Sequence, residues 1–279
     1  MRRSVFGLVL AAAITVPAIV AAQWVRHPTA GVPRKADGTA DLTAPPPRLA
    51  DGKPDFSGIW RPFNPNRCRQ SPGQFVECGL ELGGSPLARN LGANLPGGLP
   101  YQPWAAAIVQ ARVADDSRDD PHVRCLPDNP PRTWTLPHLT KVIHTPALLA
   151  LLYEVNAMYR QIFVDDRTQP DDPTPAWNGY STARWDGDTL VVQTAGFRDD
   201  LWLDMNGSPM SSAARMTERI RRPEFGTLEI ELTVDDPKVY TRAWTVSLTQ
   251  TLALDLELID EFCLENEKSY QRMISSRGK

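Results

Sequence analysis

Residues 179–197 read GYSTARWDGDTLVVQTAGF, and two structures compete for them. One is a nucleophile elbow, with Gly179-Tyr180-Ser181-Thr182-Ala183 as a worn Gly-x-Ser-x-Gly. That motif needs a sharp strand-to-helix turn and small residues on both sides of the serine. The other is a β-hairpin turning at Asp186-Gly187. The run Thr189-Leu190-Val191-Val192 is β-branched and apolar, so no helix can start after Ser181, and Ala183 stands where the second glycine should be. Asp-Gly between two β-type runs is a strong hairpin signal, because tight two-residue turns need positive φ. The stretch is therefore two strands, and Ser181 is a strand residue.

The same pattern extends in both directions. Residues 148–155 and 159–164 flank Asn156-Ala157-Met158, and residues 215–222 and 227–234 flank Pro223-Glu224-Phe225-Gly226. Leu228, Ile230, Leu232 and Val234 alternate with Glu229, Glu231 and Thr233, the period of two that marks a sheet with one wet face. Residues 241–252 and 257–262 make a last expected pair. An open sheet of eight or nine strands has two adhesive edges, which closure removes. The predicted fold is mainly β: an antiparallel up-and-down barrel or strongly curved sheet over 140–263. A loop-rich insertion, 61–138, carries one short helix near 104–115. The chain's 26 prolines and 18 glycines exclude long helices.

The N-terminus predicts export. Met1-Arg2-Arg3 is basic, residues 5–20 are apolar, and Ala21-Ala22 supplies a small-residue exit, as in a secretory signal peptide over 1–22. An uncleaved anchor is the alternative, although the run is short for a span. Cleaved, the protein has no membrane span and is secreted or periplasmic. Residues 23–54, with Pro45-Pro46-Pro47, read as an extended linker. One domain follows over 55–267, then a tail at 268–279. With 30 basic and 33 acidic side chains, nucleic acid is not an expected partner. In an oxidising compartment four cysteines imply disulfides. Three pairings exist, and Cys68–Cys78 with Cys125–Cys263 is the expected one.

The chemistry-bearing candidates are few. Histidines 27, 122, 138 and 144 form no ligand-spaced pair, so no metal is expected, and no glycine loop precedes a helix to cradle a cofactor phosphate. Glu154 and Arg160 flank the 156–158 turn and are expected to meet on an apolar face. Glu218 shares a face with Met216 and Ile220. A buried carboxylate beside a guanidinium serves as a general base, a substrate clamp or a structural pair. These three are the catalytic candidates. Trp177, Tyr180, Trp185 and Trp202 cluster near a long connection from 195 to 212 and are the stacking candidates for a ligand, with Asp204 and Arg219 as polar contacts.

Several segments resemble a large family of secreted, uncharacterised bacterial proteins. They are Asp51-Gly52-Lys53-Pro54-Asp55-Phe56-Ser57-Gly58-Ile59-Trp60, Tyr153-Glu154 with Arg160-Gln161-Ile162, Trp185-Asp186-Gly187-Asp188-Thr189-Leu190-Val191-Val192, Thr217-Glu218-Arg219, Asp235-Asp236-Pro237 and Cys263-Leu264-Glu265-Asn266. Gly58-x-Trp60 before an antiparallel meander is also similar to the opening of lipocalin-like barrels, a resemblance that implies a ligand in the barrel mouth. The leading functional expectation is a secreted barrel that binds a small, partly apolar or aromatic ligand. The alternatives are a cofactor-independent hydrolase or lyase and a structural envelope protein.

Overall fold

In the computed structural model the described residues are 28–64 and 84–265. The signal segment, Cys68, Cys78 and the tail lie outside them. The elements, in chain order, are β1 (Gly58–Pro62), α1 (Pro103–Ala114), α2 (Pro130–Thr133), β2 (Thr140–Thr145), β3 (Leu148–Tyr153), β4 (Tyr159–Phe163), β5 (Tyr180–Asp186), β6 (Thr189–Ala195), β7 (Leu201–Trp202), β8 (Pro209–Met210), β9 (Arg215–Glu224), β10 (Thr227–Asp235) and β11 (Trp244–Leu252). Nine strands close into a barrel in the order β1-β11-β10-β9-β6-β5-β4-β3-β2, while β7 and β8 pair apart from it.

Closure with an odd number of strands has a topological consequence. Strand direction cannot alternate all the way round an odd ring, so one neighbouring pair must run parallel. That pair is β4–β5, and it is short: only Ile162↔Ser181 and Phe163↔Thr182 are in register. Every other pair in the ring is antiparallel. A parallel pair cannot be joined by a hairpin, and residues 164–179 make the crossing.

The inner face follows the period-two pattern. Leu228, Ile230, Leu232 and Val234 are all buried, as are Leu190 and Val192 on β6 and Leu149, Leu151 and Tyr153 on β3. The β5–β6 turn is one residue later than the sequence suggests. Asp186 pairs with Thr189, so the two loop residues are Gly187 and Asp188, and the positive φ of 61° falls on Gly187.

Two expectations fail. Residues 257–262 form no strand with β11. Its outer partner is instead β1, with Trp60 opposite Leu252, because the segment that completes the ring comes from the far end of the domain. Residues 28–54 are not an extended linker either. They form a strap of turns whose carbonyls at Leu42 and Ala44 accept the amides of Gly226 and Phe225 at 2.8 and 2.7 Å. A Leu42 side chain packed against the core gives the strap an apolar anchor that its proline content hides.

Candidate functional site

The seam is where the barrel wall opens. Below the two paired positions, β4 and the approach to β5 diverge around a cleft of about 470 Å³. One wall is Met158, Tyr159, Arg160, Gln161 and Phe163. The other is Ala176, Trp177, Asn178, Gly179, Tyr180 and Ser181, with Pro127, Asn156 and Ala157 at the lip. Side-chain amides stand in for missing strand pairing. Asn178 Nδ2 donates to the Tyr159 carbonyl at 2.8 Å, and Gln169 Nε2 to the Tyr180 carbonyl at 2.9 Å. Gly179 permits the sharp entry to β5. Its φ is +61°, and a Cβ there would lie 2.7 Å from the Ala195 carbonyl.

Behind the cleft lies a buried ion pair. Arg160 Nη2 meets Glu218 Oε2 at 2.5 Å and Nη1 meets Oε1 at 3.1 Å, with both side chains essentially inaccessible. Nε and Nη2 also donate to Ser181 Oγ, each at 3.2 Å, and Nη2 to Thr194 Oγ1 at 2.9 Å. Glu218 Oε1 accepts Trp134 Nε1 at 2.7 Å. Burial alone would lower the Arg160 pKa, but the Glu218 charge and hydrogen bonds hold it above its ordinary value. Burial pushes the nearby Tyr153 hydroxyl up. This donor and acceptor set satisfies both charges, the condition under which a buried pair is tolerated.

Trp134 enters the barrel from the loop-rich insertion. The short helix α2 is pinned by Arg132, which pairs bidentately with Asp120 at 2.7 and 2.6 Å and reaches Asp128 at 3.1 Å. Gln250 Nε2 then holds the Trp134 carbonyl at 2.9 Å. The barrel mouth therefore contains a tryptophan from the chain itself, and the open space is at the seam.

The candidate residues separate accordingly. Arg160, Trp177 and Tyr180 line the cleft, and Glu218 lies behind it. Glu154 is misplaced in the sequence reading. It sits on the outward face, where Oε2 accepts the Leu139 amide at 3.1 Å, and the residue opposite Arg160 is Leu151. Trp185 closes the other end of the barrel, with its ring 5.6 Å from Phe56 and 6.0 Å from His144. Trp202 is buried in the cap under the Arg112 guanidinium, 4.3 Å from its ring. Asp204 is buried and accepts Leu91 N, Ser208 N and Ser208 Oγ at 3.0, 3.0 and 2.7 Å; burial raises its pKa against those hydrogen bonds. Arg219 is on the outer face, paired with Asp186 at 2.9 Å. The sequence reading missed Tyr159, Gln161, Phe163 and Asn178. All four lie on β4 or in the 164–179 crossing that leads to β5.

Cys125 and Cys263 are bonded, with Cα atoms 5.3 Å apart. Among the described residues no cluster is placed to hold a metal ion, and no helix is long and apolar enough to cross a membrane. The fold and site define a closed, internally plugged β-barrel with a lateral cleft. No family model, curated protein or solved structure matches the chain.

Proposed function

We propose that the protein is an exported barrel that binds a small, partly apolar molecule in the seam cleft. One observation carries this reading. The obligatory parallel pair leaves a concavity of about 470 Å³ walled by the rings of Tyr159, Phe163, Trp177 and Tyr180, a volume and lining typical of small-ligand sites. Arg160 and Glu218 form its rigid backing, since each charge is committed to the other. Export is supported by the apolar run 5–20 and by the disulfide, a bond of oxidising compartments. The resemblance to a secreted bacterial family points the same way.

Tryptophan fluorescence against a panel of aromatics, lipids and sugars tests the reading. At least one panel member is expected to change the emission and to be recovered chemically unchanged. Trp177→Ala should weaken that response at least tenfold with the circular dichroism spectrum intact. Silence across the panel, or a response indifferent to Trp177, removes the cleft as the site.

A further inference from the structure

Two histidines that the cleft does not use meet beside its lip. His122 lies in the helical turn His122–Arg124 of the insertion, and His138 in the approach to β2. Their ring centroids are 6.2 Å apart. Each ring is tied to a carboxylate through Nδ1: His122 to Asp128 Oδ2 at 2.9 Å, and His138 to Glu261 Oε2 at 3.0 Å. An ionised carboxylate only accepts. In both neutral rings Nδ1 therefore carries the hydrogen, and Nε2 takes the next proton. The side chains keep 30% and 23% of their surface exposed, so both can exchange protons with water.

The two bonds join different things. His122–Asp128 is internal to the insertion, where Arg132 also binds Asp128 at 3.1 Å and Asp120 accepts the His122 amide at 2.9 Å. His138–Glu261 instead fastens the C-terminal segment to the barrel. Beside the lip that segment also has the disulfide at Cys263 and a long bond, 3.3 Å, from the Glu261 amide to the Glu154 carbonyl. The lip itself is weakly held. Asn156 Nδ2 reaches the Leu126 carbonyl at 3.4 Å, and the Ala157 and Met158 amides make turn bonds of 3.4 Å each.

The surrounding charges set the order of protonation. His122 faces Asp128 and Asp120, with Arg132 opposing them. His138 faces Glu261, Glu154 and, farther off, Asp128. Burial would lower the His122 pKa, but the Asp128 hydrogen bond and charge hold it above the ordinary imidazole value. Burial lowers the His138 pKa, Glu261 offsets this only in part, and a charged His122 lowers it further. On acidification His122 charges first and its bond to Asp128 strengthens. The second proton must then enter a half-buried ring that faces a cation. A base whose pKa is lowered in the closed arrangement binds its proton more readily once freed into water, so acid favours release. That effect is absent well above about pH 6.5, the ordinary imidazole value, and grows as the pH falls below it.

We propose that His122 and His138 form a proton-operated latch on the lip of the seam cleft: the C-terminal segment is clasped to the barrel while at most one ring is charged, and loosens when both are. The disulfide keeps the loosened segment tethered, so the opening is local and reversible. The latch borders the cleft, but its test needs no ligand, so it stands or falls apart from the reading of the cleft as a binding site.

The test uses the full chain with its disulfide intact, between about pH 8 and about pH 5, a range that brackets an ordinary imidazole. The imidazole NMR signals are expected to titrate separately, His122 above the ordinary value and His138 below it. His122→Gln removes the neighbouring charge and should raise the His138 midpoint. Hydrogen-exchange protection of the Ala157, Met158 and Glu261 amides, corrected for the intrinsic pH dependence of exchange, should fall at least threefold towards the acid end, while β9 and β10 keep theirs. His138→Gln retains a donor for Glu261 and should abolish the fall. A lip equally protected at both ends of the range overturns the latch, as does a fall that survives His138→Gln or is shared by β9 and β10. A His138 midpoint at or above the ordinary value overturns it without any variant.

Discussion

Arg160 and Glu218 show what one residue pair is asked to do. Each would be prohibitive alone in the barrel interior, and together they are fully hydrogen bonded. Removing one partner of such a pair typically costs about 3–5 kcal/mol, whereas replacing both with apolar residues is far milder. Glu218→Gln is therefore expected to lower the urea midpoint sharply, and Arg160→Met with Glu218→Leu to recover much of the loss. A single variant as stable as wild type would mean that water reaches the pair. The inward placement of both residues was legible, because each shares a strand face with apolar neighbours: Ile162 and Val164 for Arg160, Met216 and Ile220 for Glu218. The identity of the partner was not. Hairpin register sets Leu151 opposite Arg160 and Leu152 opposite Tyr159, so Glu154 shares the outward parity of Leu152. Counting across the actual turn, rather than noting proximity to it, decides the face. Glu218 reaches Arg160 only once the ring closes, and local periodicity carries no information about that.

At the scale of elements, the hairpins and the tendency to close were readable, and the strands that close the ring were not. The pairs β3–β4, β5–β6 and β9–β10 each have a short connection between alternating runs, so sequence proximity and spatial proximity coincide. The contacts that close the ring join Trp60 to Leu252 and Gly58 to Val142, residues that no local signal links. The seam itself follows from the strand count, which becomes known only when β1 is placed in the ring. The lip of the cleft depends on another long-range tie. Cys263 holds Cys125, two residues before lip residue Pro127. Glu261 bridges Val155, its amide donates to the Glu154 carbonyl at 3.3 Å, and its carboxylate meets His138 Nδ1 at 3.0 Å. The bond spans 138 residues, and cross-links of such long loops are generally worth about 2–5 kcal/mol. Cys125→Ser with Cys263→Ser should lower stability by that amount in denaturant titration. It should also speed hydrogen exchange first at Glu154 to Met158, where Asn156 and Ala157 hold left-handed φ of 54° and 47°. Uniform acceleration across the barrel instead would show that the bond stabilises the fold without organising the lip.

For the molecule as a whole, the closed end holds an acid-sensitive contact. The strap reaches β1 through Asp55, whose carboxylate accepts the Ser57 amide at 2.8 Å and lies 3.6 Å from His144 Nδ1. Phe56 and His144 stack beneath it, and Arg222 donates to the Asp55 carbonyl at 2.5 Å. Burial lowers the Arg222 pKa to about 10, so it stays charged throughout the acid range. Burial would raise the Asp55 pKa, but His144 and Ser57 hold it at about 2, below the ordinary carboxylate range. A carboxyl depressed on folding stabilises the native state above its unfolded pKa, because the unfolded chain binds the proton more readily. That contribution is complete above about pH 4 and decays as the pH falls towards about 2. The Asp55 side chain keeps 24% of its surface exposed, so screening by water makes the effect modest. Urea midpoints measured between pH 5 and pH 2 should fall more steeply for wild type than for Asp55→Asn, and the two curves should converge at the acid end. Parallel curves would mean that the strap is fixed by its backbone bonds at Leu42 and Ala44 alone. The acid sensitivity of the barrel would then have to come from carboxylates elsewhere, with the buried Asp120 and Asp128 around Arg132 the next pair to substitute.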